Sequence, residues 1–220
     1  MVDNDAYSLA LDDRASFDWG TLDTVVYGQE TDHEMGFFSD EKTGKMPMES
    51  RGKDLGYGIK AEMPIDQSTK VRFGNDFHYF NLDDKWPAVP GSMMMGPDTY
   101  ININDGYKQI FGNYAELEFE PARQWTTQLG IRNNTVQMDT GDVQPYNSES
   151  MNMMPARMMH SSMNADAMAA AEFNSRDRSK QDNNIDLSLQ SKYVAEKLWS
   201  TTFGYTRKVR SPNLYERYAW

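Results

Sequence analysis

The chain has 220 residues with 33 acidic and 22 basic side chains, a formal net charge of -11, and 39% of its residues are hydrophobic. This acidic balance argues against a nucleic-acid partner and is compatible with attraction of cations, although acidity by itself mostly serves solubility. The sequence has no cysteine, which excludes disulfides, iron–sulfur clusters, Cys-based zinc sites and thiol nucleophiles. It also has no apolar run near the roughly 18 residues of a transmembrane helix.

Most of the chain alternates apolar and polar residues, a pattern that predicts β-strands. The clearest case is NNIDLSLQSKY, where Ile185 and Leu187 alternate with Asp186. Other alternating stretches, in chain order, lie at about 6–11, 57–63, 71–79, 116–119, 125–132 and 199–205. The pattern corresponds to about eight strands of roughly ten residues, a length that suits a tilted strand crossing a bilayer.

The connections between these strands alternate in length. Short turns are predicted at about 12–16, 64–68, 120–124 and 194–197, and long polar links at about 30–50, 83–107 and 139–182. This alternation is typical of a transmembrane β-barrel with short periplasmic turns and long extracellular loops. We therefore predict an all-β fold, an antiparallel meander of about eight long strands that forms part of such a barrel.

The less apolar side of the predicted strands is rich in charge. It carries Lys60, Glu62, Arg72, Asp76, Glu116, Glu118, Gln128, Arg132 and Asp186. A wet barrel lumen accepts these side chains, whereas a soluble core rejects them. His78 belongs to the same side, and we interpret it as an ordinary polar lining residue. A two-layer sandwich with a solvated outer face predicts the same alternation, and the link lengths favour the barrel.

The order of short and long links also bears on domain organisation. If the short turns are periplasmic, both ends of the chain lie outside the cell, whereas complete bacterial barrels normally have both termini in the periplasm. We therefore expect residues 1–220 to be an internal fragment of a single barrel domain.

Methionine is concentrated in the long links, which contain 13 of the 16 methionines when they are sorted by segment. A methionine that fills a core follows the apolar face of a strand, and these do not. Thioethers are soft ligands that select Cu(I), and imidazole accepts both copper oxidation states. His33 and Met35 are two residues apart, so in an extended segment both side chains project to one side.

We therefore predict a metal site from these residues. The candidate ligands are His33, Met35, Met151, Met153, Met154, Met158, Met159, His160 and Met163. Arg157 disfavours a tight cation cage in the middle of the Met-rich segment, so this segment is expected to collect ions loosely. The alternative is that these methionines pack against one another while NADAMAAAEF forms a short helix over the barrel mouth; both can hold.

Motifs for catalysis are missing from the sequence. We find no Ser-His-Asp pattern, no Gly-rich phosphate loop and no HExxH, and the acidic pairs at 12–13 and 83–84 are expected at turns. We predict that the chain is not an enzyme.

Two segments resemble a known family. RKVRSPNLYERYAW (207–220) and FGNYAELEFEPARQWTTQLGIRNNTV (111–136) are similar to barrel segments of TonB-dependent outer-membrane receptors. Three features, DHEM, the 86–95 segment with its PDTYININDGY continuation, and YERYAW, are most similar to the TonB-dependent copper receptors of that family. The resemblance implies a barrel of roughly 22 strands plugged by an N-terminal domain.

For copper, the resemblance implies a His-x-Met pair in the barrel, here His33 and Met35, together with a Cys and a Met from the plug. This sequence lacks the plug domain and the energy-coupling box. Partnership with the TonB energy-coupling protein is thus expected only through the missing plug of the intact receptor.

Three functional hypotheses follow. The leading one is a segment of a TonB-dependent receptor in the Gram-negative outer membrane that binds copper ions at its extracellular side for import, with outer-membrane lipid as its surroundings. The second is an outer-membrane receptor barrel for a siderophore-like small ligand or a protein partner, with the Met-rich loops as adaptable contacts. The third is a soluble β-rich domain.

Overall fold

The computed structural model describes residues 2–36, 47–92, 94–148, 162–195 and 199–220. These residues form one antiparallel sheet of eight strands that lie side by side in sequence order. The strands are β1 (Val2–Phe17), β2 (Gly20–Met35), β3 (Met48–Pro64), β4 (Thr69–Trp86), β5 (Tyr100–Ala122), β6 (Trp125–Asp139), β7 (Lys180–Ala195) and β8 (Trp199–Arg207). The predicted all-β meander is confirmed.

The strands are longer than the roughly ten residues predicted. β4 has 18 residues and β5 has 23. The extra length lies toward the long connections. Charged residues there, such as Asp32 and Asp83, were predicted to be in loops, but they belong to strands, and both are cross-strand partners of Arg51. The long connections, at 36–47, 87–99 and 140–179, are correspondingly shorter than the ranges predicted.

The first predicted turn is wrong. Asp12 and Asp13 lie inside β1 and pair with β2, and the turn falls at residues 18–19. Arg14 forms an ion pair with Asp23 across the two strands (3.4 Å), so the charged DDR triplet is part of the sheet. Gly20 opens β2 with φ of +148°, and a side chain there would overlap the backbone carbonyl of Glu62.

The sheet has two faces of opposite character. On the polar face, the cross-strand pairs Glu62–Arg72 and Arg72–Glu116 place opposite charges side by side. The apolar face leaves large hydrophobic side chains exposed, among them Leu9, Leu11, Val26, Ile59, Phe73, Phe111, Leu129, Ile131, Leu187 and Phe203. Side chains alternate between the faces along every strand, as a pleated sheet requires.

The buried core lies on the polar face at the end of the sheet that carries the long connections. Helix α1 (Ser162–Ser175) and helix α2 (Leu214–Tyr218) pack there. The core consists of Leu82, Ile103, Val136, Met138, Val143, Ala170, Phe173, Leu214 and Tyr218. The helix considered in the Met-rich link is therefore present, and it covers this end of the sheet.

Backbone and side-chain hydrogen bonds anchor the two helices. Asn174, near the end of α1, donates to the Val143 carbonyl (2.9 Å) and accepts from its amide (2.8 Å). The Tyr218 hydroxyl donates to the Arg178 carbonyl (2.8 Å). Among the described residues, no helix has the length and apolar character needed to span a membrane.

Candidate metal centre

His33 and Met35 lie two residues apart on β2, and both side chains are on the polar face. They are the last two residues of β2 on this face before the 36–47 connection, at the same end of the sheet as the two helices. Alternate residues on one face of a strand are about 6.6–7 Å apart. The predicted pair therefore lies within the span of one metal ion held by two flexible side chains.

The His33 imidazole is half-buried and makes no side-chain hydrogen bond or ion pair with another described residue. Its neighbours across the strands are Asn4 on β1 and Ser50 on β3, both uncharged. A cavity of about 290 Å³ opens beside it, lined in part by Thr31, Ser50 and Gly52. No described residue therefore occupies the ring nitrogens.

His78 is the contrasting histidine on the same face. Its Nε2 atom lies 2.9 Å from each carboxylate oxygen of Asp54. This contact fixes the ring within the wall of the sheet. The structure thus agrees with the interpretation of His78 as a lining residue.

Met48 also lies in this region, and it is not among the ligands predicted from the sequence. It is the first residue of β3 and the direct cross-strand partner of Met35. Directly opposed residues of an antiparallel pair share a face, with Cβ atoms about 4.5–5.5 Å apart. The sequence places Met48 in a long link, and only the strand register brings it beside Met35.

The other predicted ligands lie outside the described residues. These are Met151, Met153, Met154, Met158, Met159 and His160. Met163 belongs to the backbone of α1, and its side chain is also outside the described part of the chain.

Acidic residues surround the rim on the opposite, apolar side of β1 to β4, above its hydrophobic positions. A cavity of about 510 Å³ is lined there by Asp3, Asp5, Asp32, Glu34, Glu49 and Asp83, with Arg51 and Lys85 as the basic members, and His33 and Ser50 also line it. Arg51 binds Asp32 (2.7 Å) and Lys85 binds Glu49 (3.3 Å). The excess of carboxylates makes the local potential attractive to cations.

Asp84 is a buried carboxylate on the same cross-strand row as Ser50 and His33. It is 1% exposed, and one oxygen accepts a hydrogen bond from the Asn102 amide (2.6 Å) while the other has no partner among the described residues. Burial raises the pKa of the Tyr215 hydroxyl to about 12, and the charge of Asp84 adds to the shift. The sequence placed this residue at a turn, whereas it lies within β4.

No three carboxylate or imidazole groups among the described residues come close enough together to hold a metal ion. The region around His33 instead combines one imidazole with two thioether-bearing residues, Met35 and Met48, on adjacent strands. Such a set of neutral, soft donors suits monovalent copper better than hard divalent ions.

No family model and no curated protein matches the chain. Among solved structures, one similar chain is the copper transporter OprC, with a TM-score of 0.72 and 16% sequence identity over 98% of this chain and 32% of that chain. The chain thus spans about a third of the length of OprC. The sheet accordingly has the fold of part of a β-barrel, like that of a known transporter.

Proposed function

We propose that this chain is part of a TonB-dependent outer-membrane receptor that binds copper ions at its extracellular side for import. The observation that carries the proposal is the pair formed by His33, whose imidazole has no protein partner among the described residues, and Met35 on the same face of β2. The fold likeness to a copper transporter supports the same reading. Energy coupling by TonB through a plug domain and the role of residues 1–220 as part of one barrel domain belong to this proposal.

The apolar face supports a place in the membrane. Its hydrophobic positions on β3 run from Leu55 to Met63, close to the ~9–11 residues with which a tilted strand crosses the hydrocarbon layer. Charged residues begin directly above them, at Lys53 and Arg51. The order of apolar and then charged positions is the one expected where a strand leaves lipid for water.

Aromatic side chains mark both edges of this apolar zone. Near the short turns, Trp125 contacts Tyr193 and Tyr193 contacts Trp199, with ring centroids 4.9 and 5.6 Å apart. Toward the long connections, Tyr79 stacks on Tyr107 at 6.0 Å. Two such girdles are typical of transmembrane barrels, because amphipathic rings favour the two interfaces.

We assign the Met-rich segment an auxiliary role. Its methionines, with His160, would collect copper ions by loose, exchangeable coordination and pass them to the pair on β2. The acidic rim around Asp32 and Glu34 would raise the local concentration of cations.

The test is a copper titration of the full chain refolded in detergent micelles under reducing conditions. In a variant carrying His33→Ala and Met35→Ala we expect the tightest copper site to be lost. A control carrying His78→Gln and Met63→Ala removes one imidazole and one thioether elsewhere, and we expect it to bind as the parent does. Equal binding by parent and the His33/Met35 variant would contradict the proposal and favour a receptor for a small organic ligand or a protein.

A further inference from the structure

We infer that Met48 is a third ligand that this chain contributes to the proposed copper site and that the site takes copper as Cu(I), with one imidazole and two thioethers supplied by β2 and β3. This inference rests on the proposed function, because it uses His33 and Met35 as the first two ligands. It adds a residue on a second strand, and it names the oxidation state of the ion.

The strand register brings Met48 next to both His33 and Met35. Met35 pairs with Met48, and His33 pairs with Ser50, so Met48 is the diagonal neighbour of His33. Diagonal neighbours on one face of an antiparallel pair are about 7–8 Å apart, and directly opposed ones are closer. The three donors therefore occupy the corners of a small triangle on two hydrogen-bonded strands. A methionine side chain has three rotatable bonds to adjust its sulfur within that triangle.

Burial distinguishes Met48 from a core methionine. Met138 shows what a core methionine looks like here, since it is 1% exposed and belongs to the buried cluster. Met48 is half-buried, lies outside that cluster and begins a strand, and Met35 opposite it is 41% exposed. Two opposed thioethers remain partly accessible at the rim, where an ion can reach them.

The residues next to the triangle on its own face of the sheet carry no charge. The cross-strand neighbours of the triangle on its own face are Val2, Asn4 and Ser50, all uncharged. The acids Glu34 and Glu49 alternate onto the opposite face of the sheet. On the same face, Asp84 lies one strand beyond Ser50, buried beside Tyr215. The three donor groups are themselves neutral, and the carboxylates of Asp32, Glu34 and Glu49 line a cavity that His33 also lines.

A neutral set of one nitrogen and two sulfurs discriminates between the copper oxidation states. Thioethers are soft and select Cu(I), whereas Cu(II) favours tetragonal sites made of nitrogen and oxygen. Because two of the three donors are thioethers, the site favours the monovalent ion.

The experiment uses silver(I), a monovalent soft ion with no redox chemistry under these conditions, and the full chain labelled with ¹³C at the methionine methyl groups. The resonances are assigned with Met35→Leu, Met48→Leu and the control Met63→Leu. Leucine is close to methionine in volume, so these variants preserve packing. We expect the Met35 and Met48 resonances to shift together and to saturate at one equivalent, while the Met63 resonance stays in place.

Affinity provides the second readout, by competition for Cu(I) with a chromogenic chelator. We expect Met48→Leu to weaken Cu(I) binding by at least about tenfold, since removal of even a second-shell partner costs about 10–100-fold. Cu(II) binding should change little in the same variant.

Two outcomes would overturn the inference in different ways. If the Met48 resonance stays in place while that of Met35 shifts, and Met48→Leu binds Cu(I) as the parent does, Met48 is not a ligand and the proposed function stands. If neither resonance shifts and the His33/Met35 variant also binds normally, the proposed function fails as well.

Discussion

The polar face of the sheet has two parts that treat their functional groups differently. In the half nearer the short turns, Arg72 binds Glu62 at 2.7 Å and Glu118 at 2.9 Å. At the rim by the long connections, His33 and the opposed methionines have no such partners among the described residues. We call the first part the ion-pair lattice, which also includes the pairs Lys60–Asp23, Arg132–Asp76 and His78–Asp54.

We interpret the lattice groups as structural and the rim groups as the candidates for ligand binding. In the lattice, each charge is neutralised by a neighbour on the next strand, and little capacity is left to hold anything else. Glycines allow this close arrangement, because the Tyr114 ring lies against the backbone at Gly74, where a side chain would overlap it. At the rim, the His33 imidazole and the two thioethers have no hydrogen-bond or ion-pair partner among the described residues, an arrangement suited to an incoming soft cation.

The largest expected effect concerns the face opposite both parts. Ile131 is 52% exposed on the apolar face of β6. If this face meets lipid, Ile131→Arg should cost about 2–4 kcal/mol in the free energy of unfolding from lipid vesicles. Gln128→Arg, on the polar face of the same strand and beside Glu118, should change stability by no more than about 0.5 kcal/mol. Equal effects from both variants would mean that the two faces meet the same solvent.

The effect of copper on the free energy of unfolding should distinguish the rim from the ion-pair lattice. An ion that binds only the folded chain stabilises it by about 2.7 kcal/mol at a free concentration of about 100 times Kd. We expect this gain for the parent and its loss in the His33→Ala, Met35→Ala variant, measured by urea unfolding with and without Cu(I). Without copper, the variant should unfold like the parent. A destabilised copper-free variant would show that the pair is structural, as the lattice is.

Removal of an arginine from the lattice should give the opposite pattern. Among the described residues, Arg72→Leu leaves Lys70 as the one cation paired with the carboxylates of Glu62 and Glu118, while Gln128 still donates to Glu118 (2.9 Å). Because these groups are largely shielded from water, we expect a loss of about 2 kcal/mol in the free energy of unfolding and no change in copper affinity. The more exposed Arg14, paired with Asp23, is the control, and Arg14→Leu should cost about 1 kcal/mol or less.

Much of the fold could be predicted from the sequence, because one periodicity carries it. The contrast between the two faces imposes alternation on every strand, as in NNIDLSLQSKY, and the sheet follows. The strand ends could not be predicted, since Asp32 and Asp83 lie above the apolar zone, where both faces are polar and alternation vanishes. The turn at residues 12–16 was predicted wrongly for a related reason, because charged residues such as Asp are common both in turns and in strands that form ion pairs.

Only half of the candidate site could be predicted from the sequence. His33 and Met35 are neighbours within one strand, so their shared face follows from spacing alone. Met48 joins them through the register of β2 and β3, which depends on how the chain passes through residues 36–47. Alternation within a strand contains no information on that register. The burial of Asp84 could not be predicted from alternation either, because it depends on how α2 folds back over β4 and β5.

The smallest expected effect concerns the framework that holds the rim. Helix α2 begins at a capping box in which Asn213 accepts from the Glu216 amide (2.7 Å) and Glu216 accepts from the Asn213 amide (2.9 Å). Hydrogen bonds from Arg210 and from the Asn213 backbone lower the pKa of the Glu216 carboxyl to about 2, from 4.5. Because the folded-state pKa is the lower one, this stabilisation is complete above pH 4.5 and is lost as the pH falls toward 2.

The measurement uses Trp220, which stacks on Tyr100 with ring centroids 4.9 Å apart. The fluorescence difference between the parent and Trp220→Phe should report α2 docking and fall between pH 4.5 and 2. Glu216→Gln keeps a cap acceptor without a titratable group, so its docking signal should decline less than that of the parent, and the remaining decline is expected from protonation of Asp182, which pairs with Arg217 of α2 (2.6 Å). An equal decline in Glu216→Gln would place the acid sensitivity elsewhere, and a decline in copper affinity alongside undocking would show that the rim depends on α2 for its geometry.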